Sequence, residues 1–178
     1  GRHTGYSLSK GVYLLTLSNE WIKLTGEFDY EQYSKTATCD GVRYCYFFGG
    51  CNGNGKSNEL YMIDTTTNEI EKIDALNAPP AGCAGKIQVY DNKLILLGGY
   101  ETNNVYSLDL NTKDKWILED FQLHLEDKLR DFHTLLWDEN QGHTGRLYFQ
   151  STADIFLFDV QLRTVTNITD QYSNIPPN

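Results

Sequence analysis

Two stretches of the chain carry residue types that can do chemistry. The first, 50–57, reads Gly-Cys-Asn-Gly-Asn-Gly-Lys-Ser and satisfies the GxxxxGK[ST] pattern of phosphate-binding loops. Such a loop binds phosphate because a helix follows it and directs backbone N–H groups at the anion. Here the next residues, 59–64, read Glu-Leu-Tyr-Met-Ile-Asp and predict a strand. We therefore interpret 50–57 as a loop between two strands rather than as a nucleotide site.

The second stretch, 119–133, is rich in the carboxylates and imidazoles that bind metals or transfer protons. Its apolar residues fall at helical spacing, which predicts a short helical turn within a connection. The polar groups do not follow the spacing of an established metal or acid–base motif, so we interpret the stretch as a solvated connection. We predict no catalytic residue, no metal site and no cofactor. The candidate groups set aside in this way are His124, Glu126, Asp127, Asp131 and His133.

Charge and composition argue against two classes of function, nucleic-acid binding and membrane insertion. The formal net charge is −9, and an acidic surface repels phosphate backbones, so we expect no nucleic-acid partner. No run of about 18 apolar residues is present, so we expect no membrane span. The four cysteines form no CxxC pair, and we predict that Cys39 and Cys45 are free thiols acting as small apolar side chains. A cytoplasmic location follows as the expectation.

An internal repeat of about 48 residues organises the chain. Apolar strands ending in a glycine pair recur at 44–50 and 93–99, and each is followed by a loop and by a second strand ending in Asp64 or Asp109. Weaker copies lie at 11–24 and 146–168. Since the predicted strands are apolar on both faces, each small sheet must be covered on both sides. That requirement predicts an all-β fold built from blades of a propeller.

The repeat resembles the kelch motif, in which an apolar strand ends in Gly-Gly and is followed by a Tyr-containing strand, a short turn and a Trp. The resemblance implies kelch-type blades of four antiparallel strands. The matching residues are Gly49, Gly50, Gly98 and Gly99 for the glycine pairs, Tyr13, Tyr61 and Tyr106 for the tyrosine, and Trp21 and Trp116 for the tryptophan.

The repeat boundaries predict an incomplete ring. We expect a half blade at 1–25, blades at 34–74, 78–118 and 132–168, and the start of a further connection at 169–178. Closed propellers have about four to eight blades. We therefore expect either a second copy or the missing part of a longer chain to close the ring.

The kelch resemblance implies a non-enzymatic protein–protein interaction module, in the manner of a substrate-recognition or scaffolding propeller, with a protein partner of unknown identity. Loops on a rigid scaffold are where binding function concentrates. The alternative is a carbohydrate-binding or enzyme domain on a kelch scaffold, because the galactose oxidase, sialic-acid mutarotase and specifier-protein families show that this fold permits such functions. The predicted binding residues lie in the loops and are Tyr30, Tyr33, Asn52, Asn54, Lys56, Tyr100, Glu101 and Asn103.

Overall fold

The computed structural model describes residues 10–29, 35–52, 55–82, 85–98, 103–122, 134–137, 146–150 and 154–172. Within these ranges the chain forms strands and turns, with a single 3₁₀ turn at Thr169–Tyr172. No helix in the described ranges has both the length and the apolar content needed to cross a membrane. The strands are β1 (Gly11–Leu15), β2 (Trp21–Glu27), β3 (Thr36–Cys39), β4 (Tyr44–Phe48), β5 (Cys51–Asn52), β6 (Gly55–Lys56), β7 (Leu60–Asp64), β8 (Glu69–Ile73), β9 (Lys86–Tyr90), β10 (Lys93–Leu97), β11 (Asn104–Asp109), β12 (Trp116–Gln122), β13 (Thr134–Trp137), β14 (Arg146–Gln150), β15 (Ile155–Asp159) and β16 (Thr164–Asn167).

Three antiparallel sheets of four strands repeat along the chain. Sheet I contains β3, β4, β7 and β8, sheet II contains β9 to β12, and sheet III contains β13 to β16. The hairpin β1–β2 joins sheet I through one parallel bridge between Thr25 and Glu69. The strands β5 and β6 pair separately as a short ribbon. This is the predicted all-β architecture of propeller blades, with each sheet formed from one repeat.

The turn between the third and fourth strands of each repeat contains a left-handed residue close to its end. The φ values of this residue in the four copies are 62°, 61°, 52° and 54°. In sheet I the turn is closed by Asn68, whose N–H donates to the carbonyl of Asp64 at 2.8 Å. The Asp64 carboxylate also accepts from the Thr66 N–H at 2.8 Å, which explains why an Asp ends this strand. The four left-handed residues are Asn19, Asn68, Lys113 and Arg163.

The glycine pairs occupy backbone conformations that other residues avoid. Gly49 has φ 67° and Gly50 has φ 113°, both in the left-handed half of the map. A Cβ added to Gly49 would lie 2.6 Å from the carbonyl oxygen of Gly82. Gly98, with φ 57°, repeats the conformation in sheet II, whereas Gly99 lies outside the described residues. The glycine therefore permits close approach between a strand end and the chain entering the next sheet.

Sheets I and II share an apolar layer. The rings of Phe48 and Trp116 meet edge to face with centroids 5.6 Å apart. Trp116 is 2% exposed and Leu108 beneath it is fully buried. The other buried members of this layer are Tyr46, Leu60, Met62, Ile87, Leu94, Leu96, Tyr106 and Leu110. Each sheet is thus held by the face of its neighbour, as blades stacked around an axis require.

The hairpin β1–β2 carries the same apolar residues without such a neighbour. Trp21 and Tyr13 occupy the repeat positions of Trp116 and Tyr106, but they are 68% and 50% exposed. Leu15, which lies opposite Trp21 in the register, is 49% exposed. An apolar face that is buried in sheet II is therefore open to solvent on this hairpin.

The prediction of free thiols at Cys39 and Cys45 is wrong. The two residues lie directly opposite each other on β3 and β4 and form a disulfide. The turn between them is tight, because the carboxylate of Asp40 accepts the N–H groups of Val42 and Arg43, each at 2.8 Å. Cys51 is also disulfide-bonded. Strand pairing, which cysteine spacing does not reveal, decides which sulfurs meet.

Candidate functional site

The loop carrying the phosphate-binding pattern is a β-ribbon tied to its surroundings by backbone hydrogen bonds. The Ser57 N–H donates to the carbonyl of Gly50 at 2.9 Å. The Gly82 N–H donates to the carbonyl of Ser57 at 2.9 Å, and the Gly50 N–H donates to the carbonyl of Gly82 at 3.1 Å. After Ser57 the chain continues into the strand β7, as predicted, so the helix that a phosphate loop needs does not follow. The described residues of this loop are therefore tied by backbone hydrogen bonds to the glycine-pair end of sheet I.

A partly buried lysine supports the base of this loop. The Lys35 ammonium donates to the carbonyl of Gly49 at 2.8 Å. It also lies over the rings of Phe28 and Tyr61, 4.7 and 5.0 Å from their centroids. Burial lowers the pKa of Lys35 to about 8, although the nearby carboxylates of Glu59 and Asp29 favour its charged form. The aromatic faces and the carbonyl therefore hold a cation that has lost part of its hydration.

The repeat tyrosine of sheet I belongs to the same cluster. The Tyr61 hydroxyl accepts from the Asp29 N–H at 3.0 Å and donates to the Glu59 carboxylate at 3.1 Å. Burial raises the pKa of Tyr61 well above its ordinary value, so the hydroxyl stays protonated and can donate. The tyrosine thus joins the strand β7 to the segment that leaves the hairpin β1–β2.

A second lysine bridges the two carboxylates. The Lys72 ammonium donates to Asp29 Oδ2 and to Glu59 Oε1, each at 2.9 Å. The bond from Lys72 lowers the pKa of Asp29, and the two carboxylates raise the pKa of Lys72. We name Asp29, Lys35, Glu59, Tyr61 and Lys72 the anchor cluster. Its charges are paired with one another, so the arrangement is suited to holding two loops in place rather than to transferring protons.

Part of the anchor cluster is specific to sheet I. Lys35 precedes β3, where Gly85 precedes β9 in sheet II, so this lysine is an addition to the repeat. Glu59 corresponds to Asn104, whose side-chain amide donates to the Tyr106 hydroxyl at 3.3 Å. A polar residue two positions before the repeat tyrosine is the signal by which the sequence could have indicated this contact. Lys35, Lys72 and Asp29 carry no such signal, since they come from different strands and loops.

The structure describes three of the predicted binding residues, and they lie at the glycine-pair ends of sheets I and II. Lys56 is exposed on β6, and Asn52 lies on β5. Asn103 precedes β11, and its side-chain oxygen is buried with no hydrogen-bond donor among the described residues. The remaining predicted binding residues, Tyr30, Tyr33, Asn54, Tyr100 and Glu101, lie outside the described residues.

The candidate metal and acid–base stretch also falls mostly outside the described part of the chain, which ends at Gln122 and resumes at Thr134. The helical turn predicted there and the groups His124, Glu126, Asp127, Asp131 and His133 are therefore not placed. Among the residues that are described, no three His, Cys, Asp or Glu side chains group in a way that could hold a metal ion.

The four-stranded antiparallel sheets, the glycine-pair strand ends and the recurring Tyr and Trp positions define a class of protein. They are the all-β fold of kelch-type propeller blades, and similarity to curated kelch proteins supports the kelch-repeat family. No family model matches it. Kelch domain-containing protein 2 of Bos taurus and of Homo sapiens are each 34% identical to it over 90 residues, and that of Rattus norvegicus is 33% identical over the same length. Each match covers 47% of this chain and 22% of the relative, so the chain spans about a fifth of the length of the curated relatives it matches.

Proposed function

We propose that this kelch-repeat chain is a non-enzymatic protein–protein interaction module that binds through the loops at the glycine-pair ends of its sheets. Substrate recognition or scaffolding within a larger assembly is the role that such a module would serve. The observation that carries the proposal is the β5–β6 ribbon, which three backbone hydrogen bonds tie at the glycine-pair end of sheet I. Loops held by a rigid scaffold bind partners with little loss of conformational entropy.

The anchor cluster supports this role. It fixes Asp29, at the start of the loop 30–34, to Glu59, at the end of the loop 51–58. The described ends of two segments that carry predicted binding residues are thereby joined at one end of sheet I.

The charge of the chain favours a basic partner. A formal charge of −9 attracts positively charged surfaces over distances of about 10 Å at ordinary ionic strength. Lys56 is an exposed cation within this acidic background, and a partner that binds the β5–β6 ribbon would place an acidic group against it. We expect association to slow as salt is added, because long-range attraction is screened.

The test is direct binding with a charge-reversed ribbon. Partners would be captured on the immobilised chain, identified by mass spectrometry, purified and titrated individually by calorimetry. Lys56→Glu should weaken binding about tenfold or more, as expected for a rim charge that also contacts the partner. Lys115→Glu is the matched control, because Lys115 is exposed beside β12 at the opposite end of sheet II. A purified partner that binds wild type and Lys56→Glu equally would exclude the ribbon as the binding surface.

We also propose that the open face of the hairpin β1–β2 packs against another blade, supplied by a second copy or by a longer chain. The support is the contrast between Trp21, 68% exposed, and Trp116, 2% exposed, at the same repeat position. Light scattering and native mass spectrometry of this chain distinguish the two sources. A dimer that dissociates on Trp21→Asp would identify a second copy, whereas a monomer at all concentrations would leave the longer chain as the source.

A further inference from the structure

A cavity of about 270 Å³ lies between sheets II and III, away from the anchor cluster. Its apolar floor is formed by Ile95 and Val105 from sheet II and by Phe158 from sheet III. These three side chains are 5%, 1% and 0% exposed, so the floor is part of the packed layer between the sheets. The lining also includes Tyr90, the last residue of β9.

The cavity exists because sheet II presents smaller side chains to its neighbour than sheet I does. Tyr46 and Met62 form a cross-strand pair on sheet I and are buried against sheet II. The corresponding cross-strand pair on sheet II is Ile95 and Ser107, which faces sheet III. Replacing a tyrosine by isoleucine and a methionine by serine removes volume from the layer. The space beside this pair is therefore a concave site partly open to solvent, which is the form that small-molecule sites take.

A polar wall accompanies the loss of volume. The Ser107 hydroxyl donates to Glu119 Oε1 at 2.6 Å, and the Arg163 guanidinium lies 3.7 Å from Glu119 Oε2. Ser107 is only 4% exposed. In sheet I the position of Glu119 is held by Ile73, which packs against the apolar layer. Burying a polar pair where the repeat has apolar residues is unfavourable unless the polar atoms have partners.

We propose that this cavity binds a neutral, polyhydroxylated ligand the size of a single sugar ring. The lining is charge-balanced, with Asp91 and Glu119 against Lys93 and Arg163, so it favours a ligand without net charge. The Glu119 carboxylate and the Ser107 oxygen accept hydrogen bonds, which hydroxyl groups donate. The apolar floor covers the C–H face of such a ring. At roughly 30 Å³ per water, the cavity holds about nine waters, which one sugar ring would displace.

The experiment is a ligand panel on ¹⁵N-labelled protein, followed by amide chemical shifts. Glucose, galactose, mannose and myo-inositol are the neutral probes, glucosamine and glucuronate are the charged comparators, and 3-methylbutan-1-ol is the aliphatic comparator. We expect saturable shifts at Ser107 and Glu119 with at least one neutral probe, and weaker binding of the charged sugars. No saturable shift with any neutral probe would overturn the proposal. Tighter binding of the aliphatic alcohol than of every sugar would also overturn it, since the cavity would then be an apolar void.

A substitution that restores the residue of sheet I provides the variant test. Ser107→Met should fill the cavity and weaken sugar binding about tenfold or more, while the melting temperature stays equal or rises. Thr112→Met, in the exposed turn after β11, adds the same side chain outside the cavity and should leave binding unchanged. If Ser107→Met disrupts folding, Glu119→Gln keeps the shape of the side chain and should still weaken binding. Sugar binding unchanged in both Ser107→Met and Glu119→Gln would refute the site, and neither variant should alter binding of a protein partner at the β5–β6 ribbon.

Discussion

The two repeat tryptophans provide a matched test of how the sheets are stabilised. Trp116 is 2% exposed between sheets I and II, and its ring contacts Phe48. Burying an aromatic side chain removes roughly 150–250 Å² from water, which at about 25 cal/mol/Å² is worth about 4–6 kcal/mol. Measured Trp→Ala substitutions in cores fall at about 3–5 kcal/mol. We therefore expect Trp116→Ala to lower the free energy of unfolding by about 3–5 kcal/mol.

Trp21 stands at the same repeat position with 68% of its side chain exposed. Only about a third of its surface is buried, so it gains about a third of the burial free energy of a fully buried Trp. Trp21→Ala should therefore lower the free energy of unfolding by only about 1–2 kcal/mol. Urea unfolding followed by far-ultraviolet circular dichroism measures both, and an unchanged m-value confirms that the two transitions are comparable. The protein concentration is varied, because a second copy covering the hairpin would make the cost of Trp21→Ala concentration-dependent.

Equal losses for the two variants would refute the reasoning. Two large losses would mean that Trp21 is covered in solution, and two small losses would mean that Trp116 does not sit in a packed layer. Trp116→Phe serves as the intermediate variant, since it keeps an aromatic ring against Phe48 and should cost less than Trp116→Ala.

Three further predictions concern the backbone, the disulfide and pH. Gly49→Ala should destabilise the protein by more than about 1 kcal/mol, and by more than Gly41→Ala does. Both glycines have positive φ, but only at Gly49 would the added Cβ lie against a carbonyl. Thermal unfolding measures the difference, and equal effects of the two substitutions would contradict this reasoning. Replacing Cys39 and Cys45 by Ser should lower the free energy of unfolding by about 2 kcal/mol in the chain-entropy model, and alkylation of both native thiols without reductant would disprove the pairing. The pKa of Lys35 is lowered from 10.5 to about 8, so between these pH values the unfolded chain binds more protons than the folded one. This group therefore makes the free energy of unfolding rise as pH increases from about 8 to 10.5. In urea unfolding Lys35→Met should flatten that rise, and an unchanged slope would exclude the effect.

The disulfide also bears on location. The cytoplasmic location expected from the sequence stays a prediction, and the Cys39–Cys45 pair weighs against it because disulfides persist mainly in oxidising compartments. The test is to alkylate the protein from its native source with and without prior reduction and to measure its mass. Alkylation of Cys39 and Cys45 without reductant would indicate free thiols and a reducing compartment, whereas alkylation only after reduction would indicate the disulfide and an oxidising one.

Sequence alone determined the parts of this protein that depend on local chemistry. The turn closed by Asn68 needs a left-handed residue and an Asp that caps the turn, and the strand end at Gly49 needs a residue without a side chain. The left-handed turn residue recurs in each repeat and the glycine pair in two of them, at similar spacing, so both can be recognised from the sequence. For the same reason the strand β7 was predictable after the phosphate-loop pattern, and the repeat itself indicated the kelch family.

Tertiary structure decided what depends on residues that are distant in the chain. Lys72 meets Glu59, and Lys35 meets Tyr61, only after β3, β7 and β8 pair, so the spacing of residues in the sequence does not predict the cluster. Trp21 and Trp116 share one repeat position, but only the neighbouring sheet makes one of them a core residue. Folding also decides which side chains are buried, which sulfurs pair and where the cavity beside Ser107 forms. Each of these depends on two surfaces that meet only in the folded protein, and the sequence pattern of one surface does not show which other surface covers it.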